Sequence, residues 1–474
     1  MTVEWLLGRN ADLFRDKIAF VDEHRKISHM DFFDEVKNIS HILQKSNIGA
    51  QSIVLTMPEK SIDSVIIFFA LLNSKISFLH GMKSFSSEVD FPYSHTLTTI
   101  DDGYSDVSFQ IEKNVYYLSK KNEVYLPYIN EGSYIISTSG TTGAKKHIIS
   151  SFYQIAENAK HVCAFYNLDE SIVSMTLYPP FRVFFDSFMR AVYLGGKSVL
   201  VDSFYPEIAA QLIREEKVTF IQGTPSQHLS LAQRITAHDA SSVKIIEVAG
   251  GHFSKKAEEL VEKSFANSHI VRAWGSTETA GVCIAKKEQN NNPNNIGKVL
   301  PGYEMKILTN GGVNNAVEGE MLIKGESVTK KIFYQGEFIN ISNFYSTGDM
   351  VEIDKHGDVI FLGRKSGMIK SAGDNIYPSE IETLIAKHPH VNSAIIVGIN
   401  DDFKGEIPVA YVQIDQEDSV TREDLRKYCI AHLDFGKVPK YWLLSVENAP
   451  IMPSGKVDKG KIRELILNKI ILGE

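Results

Sequence analysis

The sequence predicts an α/β protein: a large N-terminal domain of layered α/β subdomains with mostly parallel sheets, then a small C-terminal α+β domain. Three observations carry this. Short apolar runs of strand length alternate with helical stretches through most of the chain, the pattern of a parallel sheet with crossover helices. Glycine-rich loops follow several of those runs, and parallel sheets bind ligands beyond the carboxyl ends of their strands. After about residue 350 the texture changes to a hairpin, short helices and two isolated strands.

In chain order, residues 62–72 read as an apolar core helix. Tyr134-Ile135-Ile136 reads as a buried strand, and a helix is expected over residues 151–165. Residues 198–201 and 218–222 are short strands separated by a helical stretch, 207–216. A strand over 244–248 ends in Gly250-Gly251-His252, and Ser254 caps a helix with Ala257, Leu260, Val261 and Phe265 at helical spacing. The strand 270–274 ends in Gly275-Ser276-Thr277-Glu278-Thr279. Residues 351–364 form a hairpin turning at Lys355-His356-Gly357, and Pro378 opens a helix containing Ile381, Leu384 and Ile385. Strands follow over 391–397 and 409–414, then the capping box Thr421-Arg422-Glu423-Asp424 ahead of Leu425, Tyr428 and Cys429. The boundary between the two domains falls near Arg364–Gly367, giving units 1–365 and 366–474.

Composition excludes several classes. The chain has 474 residues, 43% hydrophobic and 23% charged, so it is globular. Its formal charge of −8 is spread without long runs, which argues against wholesale nucleic-acid binding. Three cysteines without a CxxC pair suggest neither a disulfide framework nor a zinc site. No secretory signal opens the sequence, and the longest apolar stretch, 65–72, is too short to span a bilayer. A cytoplasmic location is the expectation.

The run Ser137-Thr138-Ser139-Gly140-Thr141-Thr142-Gly143-Ala144-Lys145-Lys146 packs hydroxyls and glycines into one loop that ends in lysine. That is what a phosphate clamp needs. Glycines let the backbone approach and turn its N–H groups inward, hydroxyls add donors, and lysine adds charge. The spacing is not that of a Walker A loop.

Four further runs stand in order behind it: Tyr345-Ser346-Thr347-Gly348-Asp349, Gly363-Arg364-Lys365-Ser366-Gly367, Gly373-Asp374-Asn375-Ile376-Tyr377-Pro378, and Pro453-Ser454-Gly455-Lys456. With the clamp loop and Gly275–Thr279, they resemble the motifs of the adenylate-forming superfamily over roughly residues 130–460. Its members include acyl- and aryl-CoA synthetases, nonribosomal peptide adenylation domains and beetle luciferases.

The resemblance implies two half-reactions. A carboxylate attacks the α-phosphate of MgATP, giving an acyl-adenylate and pyrophosphate. A thiol, from CoA or the phosphopantetheine of a carrier protein, then displaces AMP. The small domain rotates between the steps, with Ser366 at the hinge. By the same resemblance, Thr138, Ser139, Gly140, Thr141, Thr142, Gly143 and Lys146 cradle the β- and γ-phosphates. Thr277 touches the α-phosphate and Glu278 holds Mg²⁺, a hard cation suited to carboxylate oxygen. Trp274, where relatives carry tyrosine, stacks on adenine, with Gly250, Gly251, His252 and Gly275 beside it. Asp349 binds the ribose hydroxyls, assisted by Arg364. Lys456 is the mobile catalytic lysine, screening two anions that otherwise repel.

The chain departs from the pattern at Lys145 and His147, which replace proline and glycine around the clamp lysine, so the loop is expected to be more mobile and more basic; Lys145 is an alternative to Lys146. Ser366 replaces the usual hinge Asp or Lys. The acid pocket is expected around Arg182, Phe185 and Asp186. An arginine at the place where amino-acid-activating domains carry aspartate would repel an ammonium group, which favours an acyl or aryl acid without an α-amine. A shift onto Asp186 restores the reading of a stand-alone domain that loads an amino acid onto a carrier protein. Gly373 lies in the run expected to border the thiol tunnel, which favours thioester formation. A catalytically silent scaffold of the same fold is the non-enzyme alternative.

Overall fold

A computed structural model of the chain describes residues 1–472 apart from 47, 49–51, 58, 82–90, 100–102, 104, 122–128, 130–131, 140–144, 179–183, 203, 252, 254, 287–291, 293, 310–311, 315–316, 418 and 452–456. Among the described residues the strands form a 14-stranded, a nine-stranded and a five-stranded sheet. The α/β class is as expected. Within it, parallel pairing occupies only part of each large sheet.

The parallel part of the first sheet runs, in spatial order, through Ile18–Val21, Lys197–Val199, Val173–Thr176, Phe220–Gly223, Ile245–Val248 and His269–Ser276. Helices Pro206–Glu216, Pro225–Ala232 and Lys255–Ser264 make its crossovers. Beyond His269–Ser276 the sheet turns antiparallel through Gly281–Lys286, Asn295–Val299, Val359–Arg364 and Tyr345–Ile353. The second sheet pairs Ile53–Thr56, Ser77–His80 and Ser133–Ser139 in parallel, then extends antiparallel through Lys145–Ser151 and Lys331–Tyr334.

Between the two large sheets lies the helix Ile62–Asn73, capped by Ser61 and buried at every residue but Ser64 and Asn73. It is apolar all round because it has no solvent face. Phe68 meets Phe78, Tyr134 and Phe188 edge-on at 5.3–5.4 Å between ring centroids. Each such ring removed from water stabilises the core by roughly 1.5–3 kcal/mol.

The strand Lys145–Ser151 was not expected. The sequence suggests strand, loop, helix; the structure has strand, turn, strand, helix. The helix Phe152–Tyr166 does start where predicted, with Ser151 and Gln154 forming a capping box.

The chain leaves the first sheet at Arg364 and enters the five-stranded sheet at Ile369. That sheet holds Ile369–Ser371, Asp374–Ile376, Val391–Asp401, Gly405–Ile414 and Tyr441–Ser445. Helices Pro378–Ile385 and Arg422–Ile430 pack their buried residues, Ile381, Ile385, Leu425 and Cys429, on Ile396, Val412 and Trp442. All three cysteines are free and buried. Among the described residues no helix is long and apolar enough to cross a membrane.

Candidate active site

The clamp run is a β-hairpin. Ser133–Ser139 and Lys145–Ser151 pair antiparallel, with Thr138 opposite Lys146, Ser139 opposite Lys145 and Ser137 opposite His147. Gly140, Thr141, Thr142 and Gly143 lie outside the described residues. Alternation along the strand sends Lys146 to one face and Lys145 and His147 to the other. Lys146 Nζ lies 5.6 Å from the ring centroid of Tyr334, its register partner on the next strand. His147 is buried, with Nδ1 2.9 Å from Ser137 Oγ and its ring against Phe91. The two unusual residues therefore belong to the second strand, where His147 anchors the hairpin in the sheet.

Glu278 sits on a single turn of 3-10 helix, Thr277–Thr279, between the strands His269–Ser276 and Gly281–Lys286. Gly275 is required where the register shifts: a Cβ there would lie 2.3 Å from the carbonyl oxygen of Gly281. Thr279 closes the turn by accepting from Ser276 N at 2.9 Å and donating to Gly281 O at 2.7 Å. Tyr345 OH donates to Glu278 Oε1 at 2.8 Å. Burial, and then the Glu278 charge, push the Tyr345 phenol well up, so it stays a donor. The Glu278 carbonyl accepts from Thr329 N at 2.7 Å, and Thr329 Oγ1 donates to Ile149 O at 2.9 Å on the clamp hairpin. One residue thus joins the Glu278 turn to the strand that carries Lys146.

Asp349 lies four residues after Tyr345 on the same strand and is 0% exposed. Trp274 Nε1 donates to its Oδ2 at 2.9 Å, and Arg364 Nε stands 2.7 Å from its Oδ1. That Oδ1 contact lies off the hydrogen-bond axis, so the oxygen is buried without a hydrogen-bond donor. Burial pushes the Asp349 carboxyl up to about 6, against the pull of Arg364 and of the Trp274 bond. Gly250 and Gly251 are exposed just past Ile245–Val248, Gly250 with φ +81°. His252 lies outside the described residues.

The structure therefore brings Thr138, Lys146, Glu278, Trp274, Asp349 and Arg364 into one linked framework. Tyr345 and Thr329, which make two of the links, carry no role in the sequence analysis; Tyr345 opens a run singled out there, and only its spacing from Asp349 hinted at a shared face.

The remaining candidates lie apart. Arg182 is outside the described residues. Phe185 is 1% exposed and packs edge-on against Tyr134. Asp186 stands 3.7 Å from Arg190, whose buried guanidinium also meets Glu247 at 3.0 and 3.1 Å and Gln222 at 2.8 Å. Burial pushes Asp186 up to about 6, with Arg190 pulling the other way. Ser366 lies in the short 3-10 segment Lys365–Gly367, and Lys365 Nζ is 2.7 Å from Glu320 Oε2. Gly373, φ +95°, is exposed in the turn between Ile369–Ser371 and Asp374–Ile376. Lys456 is outside the described residues, between Ile451 and Val457, which pair in a bridge.

Comparison with known proteins decides the family. The profile of the AMP-binding enzyme family matches residues 95–333, just over half the chain, and that of the AMP-binding enzyme C-terminal domain matches residues 380–456. The chain belongs to the AMP-binding enzyme family. This AMP-binding enzyme is 26% identical to a 2-succinylbenzoate–CoA ligase of Staphylococcus epidermidis over 96% of each chain. It is 30% identical to a 2-succinylbenzoate–CoA ligase of Listeria monocytogenes over 70% of this chain and 69% of that one. Among solved structures, ATP-bound MatB from Rhodopseudomonas palustris superposes with a TM-score of 0.80 over 98% of this chain and 99% of that one, at 19% identity. MenE, the O-succinylbenzoate coenzyme A synthetase of Bacillus subtilis, in complex with AMP, gives 0.75 over 97% and 98%, at 23% identity. The AMP-binding enzyme described here is an ATP-dependent acid–thiol ligase that works through an acyl-adenylate.

Proposed function

We propose that the acid is a small acyl or aryl acid without an α-amine and that the acceptor thiol is that of coenzyme A. The observation that carries the site assignment is the single strand Tyr345–Ile353, which holds Glu278 by one residue and presents Asp349 four residues later. In this reading the two carboxylates that serve the metal and the ribose stand at a fixed spacing, and Thr329 ties the Glu278 turn to the clamp hairpin.

In this reading Thr138 to Gly143 and Lys146 hold the β- and γ-phosphates, and Thr277 the α-phosphate. Asp349, whose Oδ1 is buried without a donor, accepts from the ribose hydroxyls, with Arg364 alongside. Trp274, Gly250, Gly251 and His252 border the adenine. Among the described residues no group of three or more His, Cys, Asp or Glu could enclose a metal. A lone carboxylate at Glu278, with one oxygen taken by Tyr345, fits Mg²⁺, which is held mostly by phosphate and water. When bound, Mg²⁺ supplies positive charge beside the phosphates.

The acid's carboxylate oxygen bonds to the α-phosphorus as the bond to the β-phosphate oxygen breaks, and pyrophosphate leaves. Lys456 neutralises the approaching anions, which is worth most where water is excluded. The thiol sulfur then bonds to the acyl carbon, the bond to AMP breaks, and the thiol proton goes to solvent. Units 1–365 and 366–474 move against one another about Ser366 between the steps, in the cytoplasm.

The acid class is favoured by Asp186. A substrate ammonium needs an available carboxylate, and Asp186 is buried beside Arg190. The substrate named for the Staphylococcus and Listeria relatives, 2-succinylbenzoate, has two carboxylates, and Arg182 is a cation that could pair with the second. That acid heads the test panel.

Pyrophosphate release is measured across fatty, aryl and amino acids, then with CoA or a carrier protein added. Release with an aryl or acyl acid and thioester only with CoA is the expected result. Release with amino acids alone, or transfer only to a carrier protein, overturns the respective half of the proposal; no release with any acid points to the silent scaffold. Arg182→Ala should change acid preference severalfold while leaving the KM for ATP within about twofold. An effect confined to ATP removes Arg182 from the pocket.

A further inference from the structure

The turn that carries Thr277 and Glu278 is gripped from behind by a buried relay. Asn158 is 2% exposed on the helix Phe152–Tyr166. Its amide Nδ2 has two hydrogens. One goes to the carbonyl of Val282 at 2.8 Å and the other to Tyr303 OH at 2.8 Å. Tyr303 passes its own hydrogen to the carbonyl of Thr279 at 3.1 Å. The donors have one possible order, because both end points are carbonyls that only accept. Asn158 Oδ1 sits so close to Gly281 that a Cβ there would approach it to 2.7 Å. The backbone between these anchors is not relaxed, since Ala280 has φ +54°. A non-glycine residue holds that conformation only when its surroundings impose it.

The same helix holds the other side of the turn. Gln154, one turn before Asn158, donates from Nε2 to Val328 O at 2.8 Å. The next residue, Thr329, donates to the carbonyl of Glu278. The helix starts directly after Lys145–Ser151, so it is continuous with the strand that carries Lys146.

We propose that Asn158 is a positioning residue for adenylate formation. Acting through Tyr303, it fixes the Thr277–Glu278 turn relative to Lys146, so that the groups serving the α-phosphate and those serving the leaving pyrophosphate keep one spacing. This rests on the roles given above to Glu278 and Lys146. A misplacement of an ångström at such groups is enough to lower a rate by an order of magnitude or more.

The test uses the full chain with Tyr303→Phe and Asn158→Asp. Phenylalanine removes one hydroxyl and the bond to Thr279. Aspartate keeps the volume but donates to neither Val282 nor Tyr303, and it turns the Tyr303 hydrogen away from Thr279. ATP–pyrophosphate exchange, its Mg²⁺ titration, thioester formation from chemically prepared acyl-adenylate, and thermal melting are measured together. Both variants should lose on the order of tenfold in exchange kcat and need more Mg²⁺ for half-maximal rate. KM for ATP and the thioester step should stay within about twofold. Exchange that is unchanged, or both half-reactions falling in step with the loss of folded protein, overturns the inference. Should Asn158→Asp fail to fold, Tyr303→Phe alone decides. A wild-type enzyme that exchanges with no acid overturns the adenylation reading and this inference with it, whereas active wild type with unaffected variants overturns the inference alone.

Discussion

Asp349 is where the chemistry of the site and the stability of the fold pull in opposite directions. Its carboxyl is pushed up to about 6 by burial, although Arg364 and Trp274 both favour its charge. A carboxylate that accepts from two ribose hydroxyls must be ionised. AMP affinity, read by titration calorimetry, should therefore hold steady above about pH 7 and weaken as pH falls through 6. The stability effect has the reverse sign. The folded value lies above the ordinary one of 3.8, so the folded state takes up this proton more readily. The contribution is fully present below 3.8 and is lost as pH rises towards about 6. Asp349→Asn should bind AMP more weakly and keep near pH 6 only the step that the AMP phosphate itself contributes, while unfolding no more easily than wild type at neutral pH. A wild-type AMP affinity that stays flat from about pH 5 to pH 7 would remove Asp349 from the ribose site.

At the scale of the element, the Glu278 turn depends on how closely two strands approach. Gly275→Ala places a Cβ 2.3 Å from the Gly281 carbonyl, so the bulge must open. Gly250→Ala meets nothing within 4 Å and suffers only from its φ of +81°. The first substitution should cost about 1–3 kcal/mol or more, as overpacking does, and the second about 1–2 kcal/mol, the cost of a left-handed side-chain-bearing residue. Urea midpoints decide the order, and an equal or reversed order means the bulge is soft. This element also shows what was legible in the sequence. Trp274 to Glu278 form a compact run, so the run could be read directly, as could the helix expected over 151–165 and the apolar helix expected over 62–72. The strand Lys145–Ser151 could not be read. Its first residues, Lys-Lys-His, have no apolar alternation of their own, and the strand exists because Ser133–Ser139 on one side and Lys331–Tyr334 on the other pair with it. In the antiparallel half of the first sheet the hairpin over 351–364 was legible, whereas the pairing of Val359–Arg364 with Asn295–Val299, far apart in sequence, leaves no local periodicity. Within the site, Glu278 and Asp349 were visible as motif residues, but Tyr345 lies 67 residues from Glu278, and no local pattern announces that hydrogen bond.

At the scale of the whole molecule, polar contacts join the first sheet to the small unit among the described residues. Tyr377 OH donates to Glu318 at 3.2 Å, Thr383 Oγ1 meets Asn294 Oδ1 at 3.3 Å, and Ser379 donates to the carbonyl of Leu362. At the crossing, Arg364 pairs with Asp349 and Lys365 with Glu320, the two cations being 55% and 59% exposed. If the small unit rearranges as proposed, the residue it carries to the reaction can differ between half-reactions. Lys456 is the candidate; it lies outside the described residues, between Ile451 and Val457, which pair in a bridge. If Lys456 serves only the first chemical step, Lys456→Ala should lower pyrophosphate exchange by on the order of 10²–10³-fold, the range for losing one preorganised charge at a transition state. Thioester formation from preformed acyl-adenylate and CoA should stay within about threefold, because that step begins after pyrophosphate has left. Equal losses in the two steps would show that Lys456 acts on a structure common to both, and the division of labour between the two units would have to be assigned to another residue of the small one.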